Sequence, residues 1–395
     1  MKNFIFISPN FPTNYWQFCR ALRTDGVRVL GIGDCPYDEL MPELRESLDE
    51  YYMVSTLMDY DQVYRATAFF IHKYGRIDWL ESNNEFWLER DAKLREDFNI
   101  GTGFRPADMP VVKHKSLMKS RYTAAHIPVA RYHLVDDLPG CEAFIREVGY
   151  PVVVKPDNGV GAVDTFKLKG PEDLERFLRT RDSARYIMEE YIDGTINSYD
   201  AVINSRGEPI FETGNVTVVN IMEAVIDNGN CFFYIRGRLP EDVRSAGRAA
   251  VRSFGVRSRF VHFEFFRLNS DQHIGRAGDV VALEVNMRPS GGESPTMMNY
   301  ANETDVYQIW ADMIAFDASQ KEVGQRRVCA FAGRRYDREY VLSLEEVRAK
   351  YALALREEGE VDAALRTDMG DYMFLAVFDT EEETMAFGAD VLREK

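Results

Sequence analysis

The sequence predicts an α/β protein, α+β in its overall organisation, that is built from three regions. Strands and helices alternate along the first part of the chain, which is typical of a parallel sheet covered by helices. Two later strands alternate polar and apolar residues and form one predicted hairpin. A length of 395 residues is also too great for one compact core. We place the domain boundaries near residues 110 and 317, which gives domains over 1–110, 111–317 and 318–395.

The N-terminal region shows the strand and helix alternation most clearly. Its predicted strands are Phe4–Ile7, Val27–Ile32, Tyr51–Ser55 and Ile77–Leu80, and its predicted helices are Tyr15–Arg23 and Asp61–Tyr74. The Gly31-Ile32-Gly33 segment follows a strand, but no third glycine opens a helix after it. We therefore reject a dinucleotide-binding interpretation of this region.

The central region and the C-terminal lobe mix helices with short strands. The central region has predicted helices at Lys115–Ala125, Cys141–Val148 and Pro171–Leu178, strands at Val152–Lys155 and Tyr186–Met188, and a hinge-like connection at Glu189–Gly194. The C-terminal lobe has predicted strands at Val328–Arg335 and Tyr372–Phe378 and predicted helices at Leu344–Arg356 and Glu381–Leu392.

The predicted hairpin carries the strongest chemical signal in the chain. Side chains alternate faces along a strand, so Glu284, Asn286 and Arg288 share one face, and His262 and Glu264 share a face of the preceding strand. An antiparallel pairing would set Glu264 beside Glu284. Carboxylate and amide oxygens suit a hard cation, and a guanidinium suits an anion. The hairpin therefore predicts a site where Mg²⁺ and phosphate meet, and the alternative is a solvated hairpin face.

A second phosphate-binding signal follows the strand Val152–Lys155. Lys155 ends this apolar strand and precedes a short loop that contains Asn158, Gly159 and Gly161. Such an arrangement supplies a positive charge and exposed backbone N–H donors to a phosphate. The loop lacks the GKS or GKT of a P-loop, so by itself it remains a common glycine-containing turn.

Composition excludes several classes of function. A formal net charge of −16 argues against a nucleic-acid partner, because phosphate backbones require clustered Lys and Arg. No apolar run approaches the length of a transmembrane helix, and the first residues lack a signal peptide's apolar region. The five cysteines lack CxxC spacing, which is typical of reduced thiols. We expect a cytoplasmic enzyme with no membrane or nucleic-acid partner.

These motifs, in the order in which they occur along the chain, resemble those of the ATP-grasp superfamily, and in particular those of its carboxylate–amine and amino-acid ligases. Carbamoyl phosphate synthetase and biotin carboxylase carry the same type of domain. The resemblance covers the chain from Lys115 to Gly292. It implies a Rossmann-like domain before the ATP-grasp domain and a lid subdomain at about 126–190.

The resemblance implies a role for each motif. ATP would be held by Lys115, by Lys155, by the loop residues Asn158, Gly159 and Gly161, and by the adenine hinge Glu189, Glu190, Tyr191 and Ile192. Mg²⁺, as a pair of ions and with Mn²⁺ as an alternative, would be bound by Glu264, Glu284 and Asn286. Arg288, together with Lys155, would be catalytic. The ribose contact is open, because Ile196 stands where relatives often carry an acidic residue, which leaves Asp193, Asn197 or Asp200.

The activity that the resemblance implies is ATP-dependent ligation of a small carboxylate to an amine through an acyl phosphate. The substrates would be small molecules, with an amino acid or peptide as the carboxylate, and a homodimer is possible. Candidate substrate contacts are His262, Arg236, Arg238, Asn299 and the backbone of Gly291 and Gly292. Arg236 and Arg238 alternate on a predicted strand and would equally suit a solvated face.

Two alternative functions stay open at this point. A non-catalytic module would bind ATP without turnover, and a phosphotransferase would stop at a phosphorylated product. Retention of the metal face and of Arg288 argues against the first alternative. The second alternative needs no amine, so amide formation separates it from a ligase.

Overall fold

A computed structural model describes residues 1–159, 164–219 and 228–395. Its mixed α/β architecture confirms the predicted fold class, and the described residues form three sheets. Among the described residues, no helix combines the length and the apolar character that crossing a membrane requires.

The first sheet has four parallel strands in the order β3-β2-β1-β4. Its strands are β1 (Asn3–Ile7), β2 (Arg28–Gly33), β3 (Glu50–Met53) and β4 (Trp79–Glu81), and its helices are α1 (Trp16–Thr24), α2 (Pro42–Ser47), α3 (Tyr60–Tyr74) and α4 (Leu88–Asp97). Each predicted element of this region is present within a few residues of its predicted bounds. Strand β1 is buried throughout because helices cover both faces of the sheet.

A short helical pair leads from this sheet into the second one, which has four strands. Helix α5 (Met109–Lys113) is followed at once by α6 (Lys115–Ala124). The sheet has the order β5-β8-β6-β7 and is antiparallel. Its strands are β5 (Tyr132–Leu134), β6 (Val152–Pro156), β7 (Phe166–Leu168) and β8 (Tyr186–Glu190), and its helices are α7 (Leu138–Val148) and α8 (Pro171–Thr180). Strand β8 includes Glu189 and Glu190, so the predicted hinge begins two residues later than expected.

The third sheet has eight strands, and its order β13-β12-β9-β10-β11-β14-β16-β15 joins the central and C-terminal regions. Its strands are β9 (Gly194–Ile203), β10 (Pro209–Thr217), β11 (Cys231–Arg236), β12 (Arg259–Leu268), β13 (Val280–Asn286), β14 (Val328–Arg334), β15 (Leu355–Glu360) and β16 (Tyr372–Phe378). The remaining helices are α9 (Glu241–Phe254), α10 (Ser294–Asn302), α11 (Val306–Phe316), α12 (Leu344–Lys350), α13 (Arg366–Met369) and α14 (Glu381–Val391). Because this sheet continues across residue 317, the domain boundary there stays a prediction.

The prediction of one long helix over Leu344–Arg356 is wrong. Helix α12 ends at Lys350, and Leu355–Glu360 forms the edge strand β15, which pairs with β16. Residues 351–354 form a turn, and the residues that follow pair with β16, which outweighs their local preference for helix.

The hydrophobic core ties the first sheet to the third. Phe4, Phe6 and Phe18 pack against Trp310 of α11, and all four side chains are buried. The N-terminal sheet is thereby fixed beside the eight-stranded sheet, with its strand ends close to the hairpin of β12 and β13.

Candidate active site

A cleft of about 420 Å³ is lined by residues from all three regions of the chain. Tyr15 and Asn83 come from the N-terminal sheet, Lys155 from the small sheet, Glu284 from the large sheet and Asp368 from the C-terminal lobe. Most predicted site residues meet here, although they are scattered along the sequence.

The hairpin brings the predicted metal ligands together on one wall of the cleft. Glu264 on β12 lies directly opposite Glu284 on β13, and His262 lies opposite Asn286. This confirms the predicted antiparallel hairpin with its two carboxylates side by side. All four side chains line the cleft, so the alternative of a fully solvated hairpin face is wrong.

Lys115, the first residue of α6, reaches across to this wall. Its Nζ lies 3.2 Å from Glu284 Oε1 and donates to the carbonyl of Gly159 at 3.3 Å. The lysine side chain is only 4% exposed, so a buried positive charge links the hairpin to the start of the predicted glycine loop. Gly161, with the rest of residues 160–163, lies outside the described residues. Asn158 forms a β-bridge with His114 just before α6.

A buried triad of charges lies beside Lys115. Glu189 accepts from Lys119 Nζ at 2.6 Å and from Lys155 Nζ at 2.7 Å. Lys119 was missed by the sequence analysis, although it follows Lys115 by four residues on one helix and therefore shares its face. The cleft thus concentrates three lysines within a small volume.

The triad fixes the ionisation of its members. Burial opposes the charge on Glu189, but Lys119 and Lys155 outweigh that effect and lower its pKa from 4.5 to about 2. Burial likewise opposes the charge on Lys155, but Glu189 and Glu284 raise its pKa above the usual value. Glu189 and Lys155 are therefore both charged at neutral pH.

His262 lines the cleft, but carboxylates already take both of its ring nitrogens, so its contact with substrate stays a prediction. Its Nδ1 lies 2.7 Å from Asp200 Oδ1, and its Nε2 lies 3.0 Å from Glu264 Oε1. Ser198 also hydrogen-bonds Asp200. Burial lowers the pKa of His262, but Asp200 and Glu264 reverse this and raise it to about 9. A charged His262 holds Glu264 in place.

Arg288 lies beyond the end of β13, so it does not extend the strand face as predicted, yet it lines the cleft. Its Nη1 donates to the carbonyl of Pro289 at 2.6 Å. Tyr15 lines the same cleft, and burial raises its pKa while the positive charge of Arg288 partly offsets that rise. Gly291 and Gly292 follow Arg288 into the cleft, and Gly292 has a φ of +58°, a conformation that glycine adopts without strain.

The predicted adenine hinge lines the cleft between the small and large sheets. The Glu190 carboxylate is held by Arg131 through bonds of 2.9 Å from Nε and 2.6 Å from Nη2, so its side chain is used internally. Tyr191 and Ile192 follow, and no described residue accepts a hydrogen bond from the Ile192 amide. This leaves a backbone donor in the cleft of the kind that reads an adenine edge.

Several predicted contacts are not brought into the cleft. Arg236 pairs with Glu381 at 3.1 Å, because the cleft-facing side chains of β11 are Cys231 and Phe233, and Arg238 is an exposed residue beyond the strand. Neither arginine lines the cleft. The same holds for Asn299 and for the three candidate ribose contacts Asp193, Asn197 and Asp200.

Other residues lining the cleft escaped sequence analysis. Asn83 has a φ of +53° and is 2% exposed, and its side-chain Nδ2 has no partner among the described residues. Glu85 pairs with Lys113 at 2.8 Å through Oε1, and no described residue pairs with its buried Oε2. Both residues follow β4, and the carboxyl ends of parallel strands are a common place for ligands. That rule was the one available signal for this part of the site.

Comparison with curated proteins finds distant relatives, and no family model matches the chain. The chain is 24% identical over 254 residues to an L-arginine-specific L-amino acid ligase of Bacillus subtilis. That match covers 62% of this chain and 59% of the relative. D-alanine–D-alanine ligase B of Clostridium perfringens is 31% identical over 102 residues, which is 25% of this chain and 33% of that protein. The chain spans about three fifths of the first relative's length and a third of the second's.

Solved structures match over nearly the whole chain. An L-amino acid ligase from Bacillus licheniformis superposes with a TM-score of 0.72 at 16% identity, and the match covers 100% of this chain and 98% of that ligase. An N5-carboxyaminoimidazole synthetase from Staphylococcus aureus, complexed with ADP, superposes with a TM-score of 0.70 at 14% identity over 98% and 97% of the chains. These likenesses show the fold, and the homologues found by sequence and by structure are ATP-grasp ligases.

Proposed function

We propose that the chain is an ATP-dependent ligase that joins a small carboxylate to an amine and releases ADP and phosphate. The observation that carries this proposal is the cleft itself, where two facing carboxylates meet three lysines and an arginine. Such an arrangement suits the joining of two anions, a carboxylate and a triphosphate, because both need neutralisation and positioning. Relatives whose names describe amino-acid ligases support the same activity.

The residues of the hairpin fit Mg²⁺. Glu264, Glu284 and Asn286 offer hard oxygen donors, and like charges facing each other in register favour a cation between them. When bound, the metal supplies positive charge that neutralises the phosphates of ATP. We propose these three residues as its ligands, with a pair of Mg²⁺ ions in use and Mn²⁺ as a substitute.

Of the remaining site residues, some bind ATP and one stabilises the charge that develops during the reaction. Lys115 and Lys155 bind the phosphates of ATP, and Glu190 to Ile192 take the adenine with backbone groups. Arg288 donates to the transferring phosphoryl group and then to the oxyanion that forms at the carbonyl. Closure of the small sheet over the cleft would exclude water, which would otherwise hydrolyse an acyl phosphate.

The reaction proceeds in two balanced steps. A carboxylate oxygen attacks the γ-phosphorus, the bond from that phosphorus to the β,γ-bridging oxygen breaks, and ADP leaves with the electron pair. The nitrogen of an amine then attacks the carbonyl carbon of the acyl phosphate. The carbon–oxygen bond to phosphate breaks, phosphate leaves, and the nitrogen loses its extra protons to give a neutral amide.

A pairwise screen of amino acids and dipeptides with ATP and Mg²⁺ tests the proposal. We expect ADP, phosphate and an amide product in equal amounts, with products identified by mass, and Arg288→Lys serves as the impaired control. Nucleotide binding without ADP release would instead indicate a non-catalytic module. ADP release with a stable phosphorylated product and no amide would indicate a phosphotransferase.

The homodimer and the cytoplasmic location remain predictions from the sequence. Sedimentation of the purified chain tests the first, and fractionation of the source cells tests the second.

A further inference from the structure

Asp368 enters the cleft from the C-terminal lobe, in the short helix α13. Arg335, which is buried, clamps the backbone just before it. The Arg335 guanidinium donates from Nη2 to the carbonyl of Thr367 at 2.7 Å, from Nε to the carbonyl of Gly229 at 2.8 Å and from Nη1 to the carbonyl of Arg366. The carboxylate is therefore presented by a braced turn and not by a free loop end.

Asp368 differs from every other carboxylate that lines the cleft. Among the described residues, the others are all ion-paired: Glu85 with Lys113, Glu189 with Lys119 and Lys155, Glu190 with Arg131, Glu264 with His262, and Glu284 with Lys115. Asp368 makes no ion pair or hydrogen bond with any described residue. Residues 160–163 and 220–227 contain no Lys, Arg or His, so they offer it no side-chain cation either.

The surroundings of Asp368 disfavour an unpaired negative charge. Leu365 and Met369, on the same segment, line the cleft with Cys231 and Phe233 of β11. Burial raises the pKa of Asp368, and the Arg335 guanidinium, whose donors are taken by carbonyls, only partly offsets the rise. A half-buried carboxylate without a partner is a position that a ligand cation would stabilise.

A second acceptor points into the same cleft. Asn215 on β10 lines the cleft and is 7% exposed, and its buried Oδ1 has no hydrogen-bond partner in the described part of the chain. Its amide N–H donates to Ser198 Oγ at 2.8 Å, so the backbone is fixed while the side-chain oxygen is left open. Two unsatisfied acceptors, one of them charged, suit a ligand group that carries several N–H donors and a positive charge.

This end of the cleft adjoins the proposed reaction centre. A Cβ atom added at Gly292 would lie 2.7 Å from Met369 Sδ and 3.8 Å from Leu365 Cδ1, so the segment that carries Asp368 packs directly on the glycine turn. Gly292 follows Arg288 by four residues. A ligand beside Asp368 would therefore lie in the same cleft as Arg288, at the side where the segment 365–369 packs on the glycine turn.

We propose that Asp368 binds the ammonium group of the amine substrate and accepts the first proton that it loses. This inference rests on the proposed ligase function and assigns the amine subsite to the C-terminal lobe. An ammonium ion must lose one proton before its nitrogen can attack. That proton passes to Asp368, the nitrogen attacks the acyl phosphate, phosphate leaves with the electron pair of the carbon–oxygen bond, and the second proton leaves with collapse to the amide.

Hydroxylamine separates this role from the phosphorylation step. It is largely uncharged at neutral pH, so it traps an acyl phosphate as a hydroxamate without needing an ammonium site or a base. The assay compares wild type, Asp368→Asn, Asp368→Glu and the control Asp379→Asn, a matched change outside the cleft. Each standard L-amino acid serves as carboxylate, with either hydroxylamine or a second amino acid as the amine.

We expect Asp368→Asn to form hydroxamate within about twofold of wild type, while its kcat/KM for the amino-acid amine falls by roughly a hundredfold. Asp368→Glu should recover part of the loss, and Asp379→Asn should match wild type. Normal amide formation by Asp368→Asn would overturn the proposal. Equal loss of hydroxamate and amide would also overturn it, since the residue would then act before the amine. A wild-type chain that forms neither ADP nor hydroxamate would overturn the ligase function itself.

Discussion

Replacing Glu189 with glutamine tests the charge balance of the cleft most directly. In the structure this one carboxylate holds two lysines, Lys119 and Lys155, whose side chains are 5% and 9% exposed. Glutamine keeps the shape of the side chain but leaves both lysines without their closest negative partner. Removal of one member of a buried ion pair costs about 3–5 kcal/mol. Because Glu284 and Glu264 still attract Lys155, we expect a fall of about 3 kcal/mol in the free energy of unfolding.

Two further measurements test whether this fall in the free energy of unfolding arises from the lost charge. An ATP analogue brings negative phosphates to the lysines, so it should stabilise Glu189→Gln by about 1 kcal/mol more than wild type. The pH dependence has a defined sign, because the folded pKa of Glu189 lies near 2 and its usual value is 4.5. A depressed carboxylate pKa contributes stability above the unfolded pKa and loses it as pH falls toward the folded pKa. The gap between wild type and variant should therefore be full at neutral pH and shrink below about pH 4.5.

Denaturant unfolding with and without the analogue provides the measurement, and Glu190→Gln is the matched control. Glu190 is the next residue on β8 and pairs with Arg131, whose side chain is 28% exposed and can turn to water. We expect this control to lose about 1.5 kcal/mol and to gain nothing extra from the analogue. An equal loss in both variants, or a Glu189→Gln deficit that neither nucleotide nor acid reduces, would refute the reasoning.

Three other substitutions test the remaining parts of the site. Glu284→Gln should abolish turnover while changing the free energy of unfolding by less than about 1 kcal/mol. The stability changes little because relief of repulsion with Glu264 offsets the lost pair with Lys115. Normal turnover at saturating Mg²⁺ would contradict the metal assignment. Arg288→Lys keeps the charge but loses the bidentate guanidinium donor, so kcat should fall roughly a hundredfold with the KM for ATP unchanged. A normal kcat in steady-state kinetics would refute a transition-state role. We also expect Asn83 to donate from Nδ2, which has no partner among the described residues, to the substrate carboxylate. Asn83→Asp keeps a residue that tolerates positive φ but replaces that donor by an acceptor, so the KM for the carboxylate should rise about tenfold with kcat less affected. An unchanged KM would argue against this contact.

The wall of the cleft that carries the proposed metal ligands could be predicted from the sequence because the patterns that indicate it are local. Alternation along two strands decides which side chains share a face, and a short connection makes those strands antiparallel neighbours. Glu264 therefore faces Glu284 as expected. Lys119 follows an equally local rule, since it lies one helical turn after Lys115 and therefore shares its face of the helix.

The other walls could not be predicted in this way. Asn83 and Asp368 are far from the hairpin in sequence, and only packing of the three sheets brings them to one cleft. The predicted substrate contact of Arg236 does not line the cleft, and the reason is a different one. Alternation shows that one face of β11 carries Arg236 and the other carries Phe233, but it does not show which face meets the cleft. That choice is made by neighbouring elements, here by α14, whose Glu381 pairs with the arginine.

The pairing pattern of the cleft explains how the fold accommodates so many buried charges before any substrate binds. Unpaired buried charges are costly, and here each of the three lysines of the cleft already has a carboxylate, Lys115 on Glu284 and Lys119 and Lys155 on Glu189. An incoming triphosphate would therefore exchange one negative partner for another and would not create new buried charge. Asp368, which comes from the C-terminal lobe, is the exception to this pattern, because it is a carboxylate of the cleft without a partner among the described residues. An anion entering at the lysines and a cation entering at Asp368 are the two ligands that would complete the balance, and a carboxylate–amine ligase requires both.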